Sequence, residues 1–451
     1  MPVPETGRSS KPEFIDTIVV PGYGTAQMSS SAYGLRAALL AIGDEVLRGE
    51  IANGNAAFLS ERLFELGFEL GEHVVVSDDP TAIRTALIRL RTTNDIIVAT
   101  GGLGPTEDDR TVDVVSDLLG VDSVAHPGSL EAMKQRFSTH GFELTPNNLR
   151  QVRVPTGAEA LPNGAGIAPG FRINIGGADA FFLPGVPREM EKIFTTEAMP
   201  RLAKRLAESK AASSSVRTWH VYGMGESHID HRLAGLLANV EGATLHFRTA
   251  SPENHVKVVV RNADAARGKE IIEQIDRDLR KRIGPGIYGV DEDTFPEVVG
   301  RSLIEHKATV AFAESCTAGM AGELLTSVPG ASAYFLGGVM AYSDEVKRTI
   351  LGVKPETLVD FGAVSEPCAR EMAEGVQKMT NATLAVGITG VAGPDGASPD
   401  KPVGTVCFAC VGPGTTRTAT KLFSGGRQQI RRAAAFFAMD LARRYFDNRR
   451  R

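Results

Sequence analysis

The apolar run Ala308-Thr309-Val310-Ala311-Phe312-Ala313 ends abruptly in Glu314-Ser315-Cys316-Thr317, setting two candidate nucleophiles, a hydroxyl and a thiol, side by side. Either needs a base to take its proton. The last of the nine histidines is His306, so nothing after it offers an imidazole for a Ser-His or Cys-His pair. His306 itself would have to reach back from a helical register that precedes the strand. Lysine is the usual substitute, because desolvation or neighbouring positive charge favours the free amine. Lys347, in Tyr342-Ser343-Asp344-Glu345-Val346-Lys347, is the attractive choice, with Tyr342 placed to relay a proton or donate to a developing oxyanion. Such arrangements serve amide hydrolysis, where general-base help contributes about 10²–10⁴-fold. Two plainer readings stand beside this one: Lys347 as a solvated helix lysine, and Cys316 as buried filler.

The elements that must hold these residues follow from periodicity. The apolar run reads as a buried strand, and Met320 to Leu325 as the helix after it, so Ser315 falls at the carboxyl edge of an α/β sheet. That helix start aims unpaired N–H groups at whatever sits there. Further apolar strands are expected over 331–342, 384–389 and 403–411. Leu384 to Thr389 breaks into Gly390-Val391-Ala392-Gly393-Pro394, and Ser424-Gly425-Gly426-Arg427 opens a terminal helix. Thr389 is then a candidate for a substrate carboxamide or phosphate. Arg427 is a candidate phosphate ligand, its fork matching phosphate oxygens. Cys407 and Cys410 lie three apart in a strand and so face opposite sides, which suits neither a redox pair nor a metal site.

The first half carries a second constellation. A strand over 95–99 runs into Thr100-Gly101-Gly102-Leu103-Gly104-Pro105-Thr106-Glu107-Asp108-Asp109-Arg110 and then a helix over 111–119. Gly101, Gly102, Gly104 and Thr106 suit a loop whose amides cradle a phosphate. Glu107, Asp108 and Asp109 beside it suit Mg²⁺, which takes few carboxylates plus substrate oxygens. A capping box from Thr106 to an acid three residues on explains them equally well. Two more loops, 163–170 and 183–190, are rich in Gly or Pro, and together the three favour a pocket. Strands over 35–42 and 74–76, and helices ending at Leu66 before Gly67 and over 81–90, complete an α/β alternation with a parallel sheet.

Residues 175–285 change character, with strands expected over 218–222, 243–248 and 255–261 and helices over 226–237 and 264–281, a small α+β module. His228 and His231 there are spaced as a metal pair or as part of a polar helix face. Gly284-Pro285-Gly286 and Asp291-Glu292-Asp293 mark a linker at 286–294, and a helix over 296–305 opens a last α/β domain at 295–451. Residues 1–33, rich in Ser, Gly and Pro, read as a disordered extension, with Met28 a possible start. The whole is α/β and multidomain, as 451 residues require. A net charge of -5 gives no electrostatic reason to bind nucleic acid or an anionic membrane, and no apolar run approaches the roughly 20 residues of a spanning helix. Four cysteines confined to the last third argue against a disulfide framework, so the cytoplasm is the default compartment.

The motifs 313–319, 342–347, Gly362-Ala363-Val364-Ser365-Glu366, 389–394 and Lys401-Pro402-Val403-Gly404-Thr405, in that order, resemble the competence/damage-inducible CinA family. Gly43-Asp44-Glu45 and 101–109 resemble its molybdopterin-binding, MoaB/MogA-like domain. The resemblance implies a three-layer α/β domain over 34–174, a KH-type module and a carboxyl-terminal nicotinamide mononucleotide deamidase. It implies a Ser315 nucleophile, Lys347 as base, Tyr342 beside them, and Thr389, Arg427, Thr317 and Gly319 in substrate binding. No cofactor is implied for the deamidase. A divalent cation, Mg²⁺ or Co²⁺, near Asp108 and Asp109 is implied for an ADP-ribose pyrophosphatase activity of the first domain. Small-molecule nucleotides are the expected partners, and a homodimer the expected assembly. The alternative is a non-enzymatic pterin- or nucleotide-binding regulatory protein. Family members commonly carry glycine where this chain has Ala318, a position where φ > 0 would strain alanine.

Overall fold

The computed structural model describes residues 34–141, 143–209, 213–262 and 264–446, so the extension expected over 1–33 lies outside the described residues. The chain forms two compact units, one running to Ser215 with Val259–Glu270, the other comprising Val216–Val258 and the chain from Ile271.

The first unit holds a six-stranded sheet in the order Glu69–Val76, Arg36–Ile42, Ile96–Thr100, Ala178–Leu183, Gly170–Ile175, Glu159–Leu161. The first four strands run parallel and the last two are antiparallel. Successive residues of Arg36–Ile42 serve opposite cores: Ala38, Leu40 and Ile42 pack on one face, Ala37 and Leu39 on the other. A strand buried on both faces requires helices above and below it, which makes the three layers. The change of character placed at residue 175 proves to lie later. Ala178–Leu183 is hydrogen-bonded inside this sheet, and the helices Pro187–Ile193 and Met199–Glu208 bury Met190, Ile193, Leu202 and Leu206 in its core.

A four-stranded sheet follows, in the order Ala243–Ala250, Glu253–Asn262, Ser213–Tyr222, Ile287–Val290. The stretch expected as a linker thus supplies a strand, since Ile287–Val290 pairs with Trp219, His220 and Val221. The carboxyl-terminal domain has a five-stranded sheet: Phe335–Met340, Val310–Glu314, Leu384–Gly390, Thr405–Gly412, Thr415–Leu422. The first three strands are parallel and the last two antiparallel. The strand expected over 331–342 is shorter, because Ala331–Ala333 forms a 3₁₀ turn after Gly330 at φ 85°. Val310 and Phe312 join the core under the helices Phe295–Glu305 and Arg427–Arg443, while Ala311 and Ala313 face Glu366–Thr380. Cys410 and Cys407 likewise fall into opposite cores.

The central strand ends at Glu314, which is 3% exposed. Its carboxylate accepts the backbone N–H groups of Gly319 (2.9 Å), Ala321 (3.2 Å) and Gly322 (3.0 Å), at the start of the helix Met320–Thr326. The helix amino terminus is therefore occupied from within, and the free N–H groups expected there are not offered to a ligand. Bending the chain back so far puts Ala318 at φ 50° and Gly319 at φ 92°. The left-handed region crowds a Cβ against the backbone, at roughly 1–2 kcal/mol, part of which is offset because alanine restricts the unfolded chain more than glycine does. Ala318→Gly is therefore expected to stabilise the carboxyl-terminal domain by about 0.5–1 kcal/mol, read as a raised denaturant midpoint. A lowered midpoint would show that the turn carries no strain at this residue.

Candidate active site

Ser315 extends the parallel ladder by one residue, its N–H donating to the Ile388 carbonyl at 2.9 Å. The side chain then stands at the carboxyl edge of the sheet and lines a cleft of about 260 Å³ together with Tyr342, Lys347, Thr389 and Arg427. Five residues separated by up to 112 positions in sequence thus meet, because three strand ends, one short helix and the start of the terminal helix share that edge.

Lys347 lies on the short helix Asp344–Thr349, whose start is capped by the Ser343 hydroxyl accepting the Val346 N–H at 3.2 Å. It is 2% exposed, which removes the reading of a solvated helix lysine. Nζ donates to the Tyr342 carbonyl at 3.1 Å and to the Asp344 carboxylate at 3.2 Å. An amine held this deeply is constrained to a few partners, and Ser315 shares its cleft. Asp344 was not singled out from sequence; its place one position inside a serine-capped helix, three before Lys347, is the signal that would have found it.

Cys316 also touches the cleft but is 5% exposed. Burial pushes its thiol up to about 12, so at neutral pH it is neither a thiolate nor a ready nucleophile. His306 caps the end of Phe295–Glu305, its Nδ1 bonded to the Ser302 carbonyl at 2.8 Å and its ring stacked on Phe446. It therefore sits before the strand Val310–Glu314, whereas Ser315 follows it, and the imidazole is at the wrong end.

The Tyr342 ring is 63% exposed, and its hydroxyl accepts from Arg427 Nη2 at 3.4 Å. Arg427, first residue of the terminal helix, also donates Nη1 to the Gly393 carbonyl at 2.6 Å. The two residues thus form the outer lip of the cleft. Thr389 is buried, and its hydroxyl donates to the Ala363 carbonyl at 2.8 Å, which leaves the oxygen lone pairs as acceptors. Thr317 and Gly319 are not brought into the cleft. Thr317 is fully buried with its hydroxyl unpartnered among the described residues, and the Gly319 N–H is engaged by Glu314. Arg431 reaches the same turn from one helical turn beyond Arg427, donating to the carbonyls of Cys316 and Thr317.

In the first unit, the three loops rich in Gly or Pro do converge. A cavity of about 1140 Å³ is lined by Gly101, Gly102, Gly104, Thr106, Ala168 and Gly185, among others. Gly101 and Gly102 adopt φ 105° and 66°, and a Cβ on either would strike the Ile42 carbonyl or the Thr111 hydroxyl. Asp109 accepts both the N–H (2.8 Å) and O–H (2.6 Å) of Thr106, so its carboxylate closes the loop on itself in the manner of a cap. Asp108 lines the cavity along with Asp44, Glu45 and Asp78. Asp78 is held above the usual carboxylate range, chiefly by burial, with Glu45, Asp44 and Asp108 adding repulsion. Among the described residues no three His, Cys, Asp or Glu side chains converge to hold a metal ion, so the divalent cation implied near Asp108 and Asp109 has no ready-made cage.

Comparison with known proteins follows these divisions. Residues 38–204 match the probable molybdopterin binding domain family, 216–289 the damage-inducible protein CinA KH domain, and 292–446 the CinA C-terminal domain. A CinA-like protein of Anaeromyxobacter sp. is 41% identical over 91% of this chain and 98% of its own length. A putative competence-damage inducible protein of Symbiobacterium thermophilum is 39% identical over 91% and 98%. A crystal structure of a CinA superfamily protein from Klebsiella pneumoniae is 34% identical, covering 35% of this chain and 99% of that one with a TM-score of 0.33. With relatives this similar along nearly their whole length, and with three family models, two of them named for CinA, matching successive stretches of it, the chain belongs to the CinA family.

Proposed function

We propose that the carboxyl-terminal domain hydrolyses the carboxamide of nicotinamide mononucleotide to nicotinate mononucleotide and ammonia, a step of pyridine nucleotide recycling. The observation that carries this reading is the buried amine of Lys347 in one cleft with Ser315, in a domain whose remaining candidate nucleophile is a protonated thiol. Lys347, as general base, takes the Ser315 proton as Oγ bonds to the carboxamide carbon and the carbonyl electron pair moves onto oxygen. Backbone N–H groups of the Ser315 turn hold that oxyanion. When the tetrahedral species collapses, the carbon–nitrogen bond breaks and Lys347 returns the proton, so the nitrogen leaves as ammonia. Water then attacks the acyl-serine with the same amine as base, releasing the carboxylic acid and regenerating Ser315. Thr389 accepts from the carboxamide nitrogen, and Arg427 at the lip meets the phosphate.

We read the first unit, secondly, as cleaving the pyrophosphate of ADP-ribose. Its favouring observation is the crowd of carboxylates, Asp44, Glu45, Asp78 and Asp108, around loops shaped for a phosphate. A bare pyrophosphate would be repelled there, so the substrate enters as its divalent-cation complex.

Two measurements test these readings. Ser315→Ala is expected to slow ammonia release from nicotinamide mononucleotide by on the order of 10³-fold or more, with Cys316→Ala near the wild-type rate. The opposite ranking would move the nucleophile to Cys316. For the first unit, ADP-ribose cleavage is expected to require Mg²⁺ or Co²⁺ and to fall about tenfold in Asp78→Asn, the loss of roughly 1.4 kcal/mol of transition-state stabilisation. Binding of nucleotide without any cleavage would leave this cleft a pterin or nucleotide receptor instead.

A further inference from the structure

The turn that carries Ser315 is held from outside by one side chain. Arg431 Nε donates to the Cys316 carbonyl at 3.1 Å and Nη2 to the Thr317 carbonyl at 2.8 Å. A third bond lies within the turn, from the Ala318 N–H to the Ser315 carbonyl at 3.2 Å. In a trans peptide the C=O and N–H of one plane point in opposite directions, so fixing a carbonyl fixes the amide that follows it. The Cys316 carbonyl, drawn to Arg431, turns the Thr317 N–H away from the guanidinium. The Thr317 carbonyl, drawn the same way, aims the Ala318 N–H at the Ser315 carbonyl. That in turn directs the Cys316 N–H to the side opposite Ala318.

Three consecutive peptide planes are therefore set by one guanidinium and one left-handed residue. The two amides so oriented, Cys316 N–H and Thr317 N–H, donate to no backbone carbonyl among the described residues, and their acceptor within the turn is the Cys316 sulfur. Both lie against the Cys316 sulfur, where they favour its thiolate without outweighing burial. They thus gather on one side of the turn as a pair of donors, the arrangement that a concave run of amides offers to an anion. The helix start cannot substitute for them, because Glu314 has engaged it.

We infer that Arg431 is a positioning residue for the proposed amide hydrolysis: by gripping the carbonyls of Cys316 and Thr317 it fixes the turn that carries Ser315, and with it the Cys316 N–H, the amide of that turn at the cleft, as the oxyanion donor beside Ser315. This rests on the deamidase reading. It separates the roles of two arginines one turn apart on the same helix, Arg427 facing the lip of the cleft and Arg431 the backbone of the turn. A fork is needed because two carbonyls on successive planes must be met at once, which a single ammonium does less well.

Steady-state kinetics of the full chain on nicotinamide mononucleotide, run in parallel for wild type, Ser315→Ala, Arg431→Ala and Arg431→Lys, test this. Arg431→Ala is expected to lose about 10²–10³-fold in kcat, the cost of disordering an oxyanion donor, with KM nearly unchanged. Arg431→Lys, keeping one carbonyl contact, is expected to fall between it and wild type. An unchanged kcat in folded Arg431→Ala, or a raised KM with kcat kept, overturns the inference. If Arg431→Ala does not fold, a wild-type kcat in Arg431→Lys overturns it and a loss of about tenfold at constant KM supports it. Failure of the deamidase reading shows separately, as a wild-type protein that releases no ammonia.

Discussion

The carboxyl-terminal domain is organised around a buried negative charge. A carboxylate taken out of water is costly unless its lone pairs are met, and Glu314 meets them with three amides of the helix that follows it. The helix in turn has its orphan donors satisfied by the strand it leaves. This reciprocal arrangement compels the chain to reverse within a few residues, which places Ala318 in the left-handed region and stands Ser315 at the sheet edge. Everything proposed for the cleft depends on that reversal. Ser315, Lys347 and Thr389 share one cleft because the strands Val310–Glu314, Phe335–Met340 and Leu384–Gly390 run parallel and end together, Lys347 lying on the helix that follows Phe335–Met340, and Arg431 reaches the turn because the terminal helix packs on the same core.

The same constraint separates the two nucleophile candidates. Neighbours in a tight turn point in different directions, so Ser315 opens to the cleft while Cys316 packs into the core with Ala321 and Ile430. Burial then keeps the thiol protonated. Chemical class alone would have ranked cysteine above serine; the packing reverses the order. The lysine is handled in the opposite sense, being buried but supplied with a carbonyl and a carboxylate, so that it is held in place instead of expelled.

Much of the scaffold was legible in the sequence, and the parts that were not share a cause. Strands buried on both faces, such as Val310–Glu314 and Leu384–Gly390, announce themselves as short apolar runs, and the helix Thr111–Leu119 has the predicted limits. The boundary at residue 175 failed because Gly170–Ile175 and Ala178–Leu183 form a hairpin across Gly176-Gly177, which reads locally as a break but continues one sheet. The linker at 286–294 failed similarly, its four-residue strand being too short to show a period. At the site, residue types in order were enough to bring Ser315, Tyr342, Lys347, Thr389 and Arg427 together. What the sequence hid were roles set by backbone geometry: Glu314 as the cap, Thr317 and Gly319 turned inward, and Arg431 bonded to carbonyls 114 and 115 residues away. No local pattern encodes a hydrogen bond to a main-chain oxygen of a distant turn.

The central claim, that Ser315 forms a covalent acyl intermediate with the carboxamide carbon, is tested most directly by trapping it. Acid quench of a single turnover with nicotinamide mononucleotide, followed by peptide mass mapping, is expected to find the acyl adduct on the peptide bearing Ser315 and to localise it to that side chain. An adduct on Cys316, or steady ammonia release with no adduct at any time point despite a burst of product, would contradict the account.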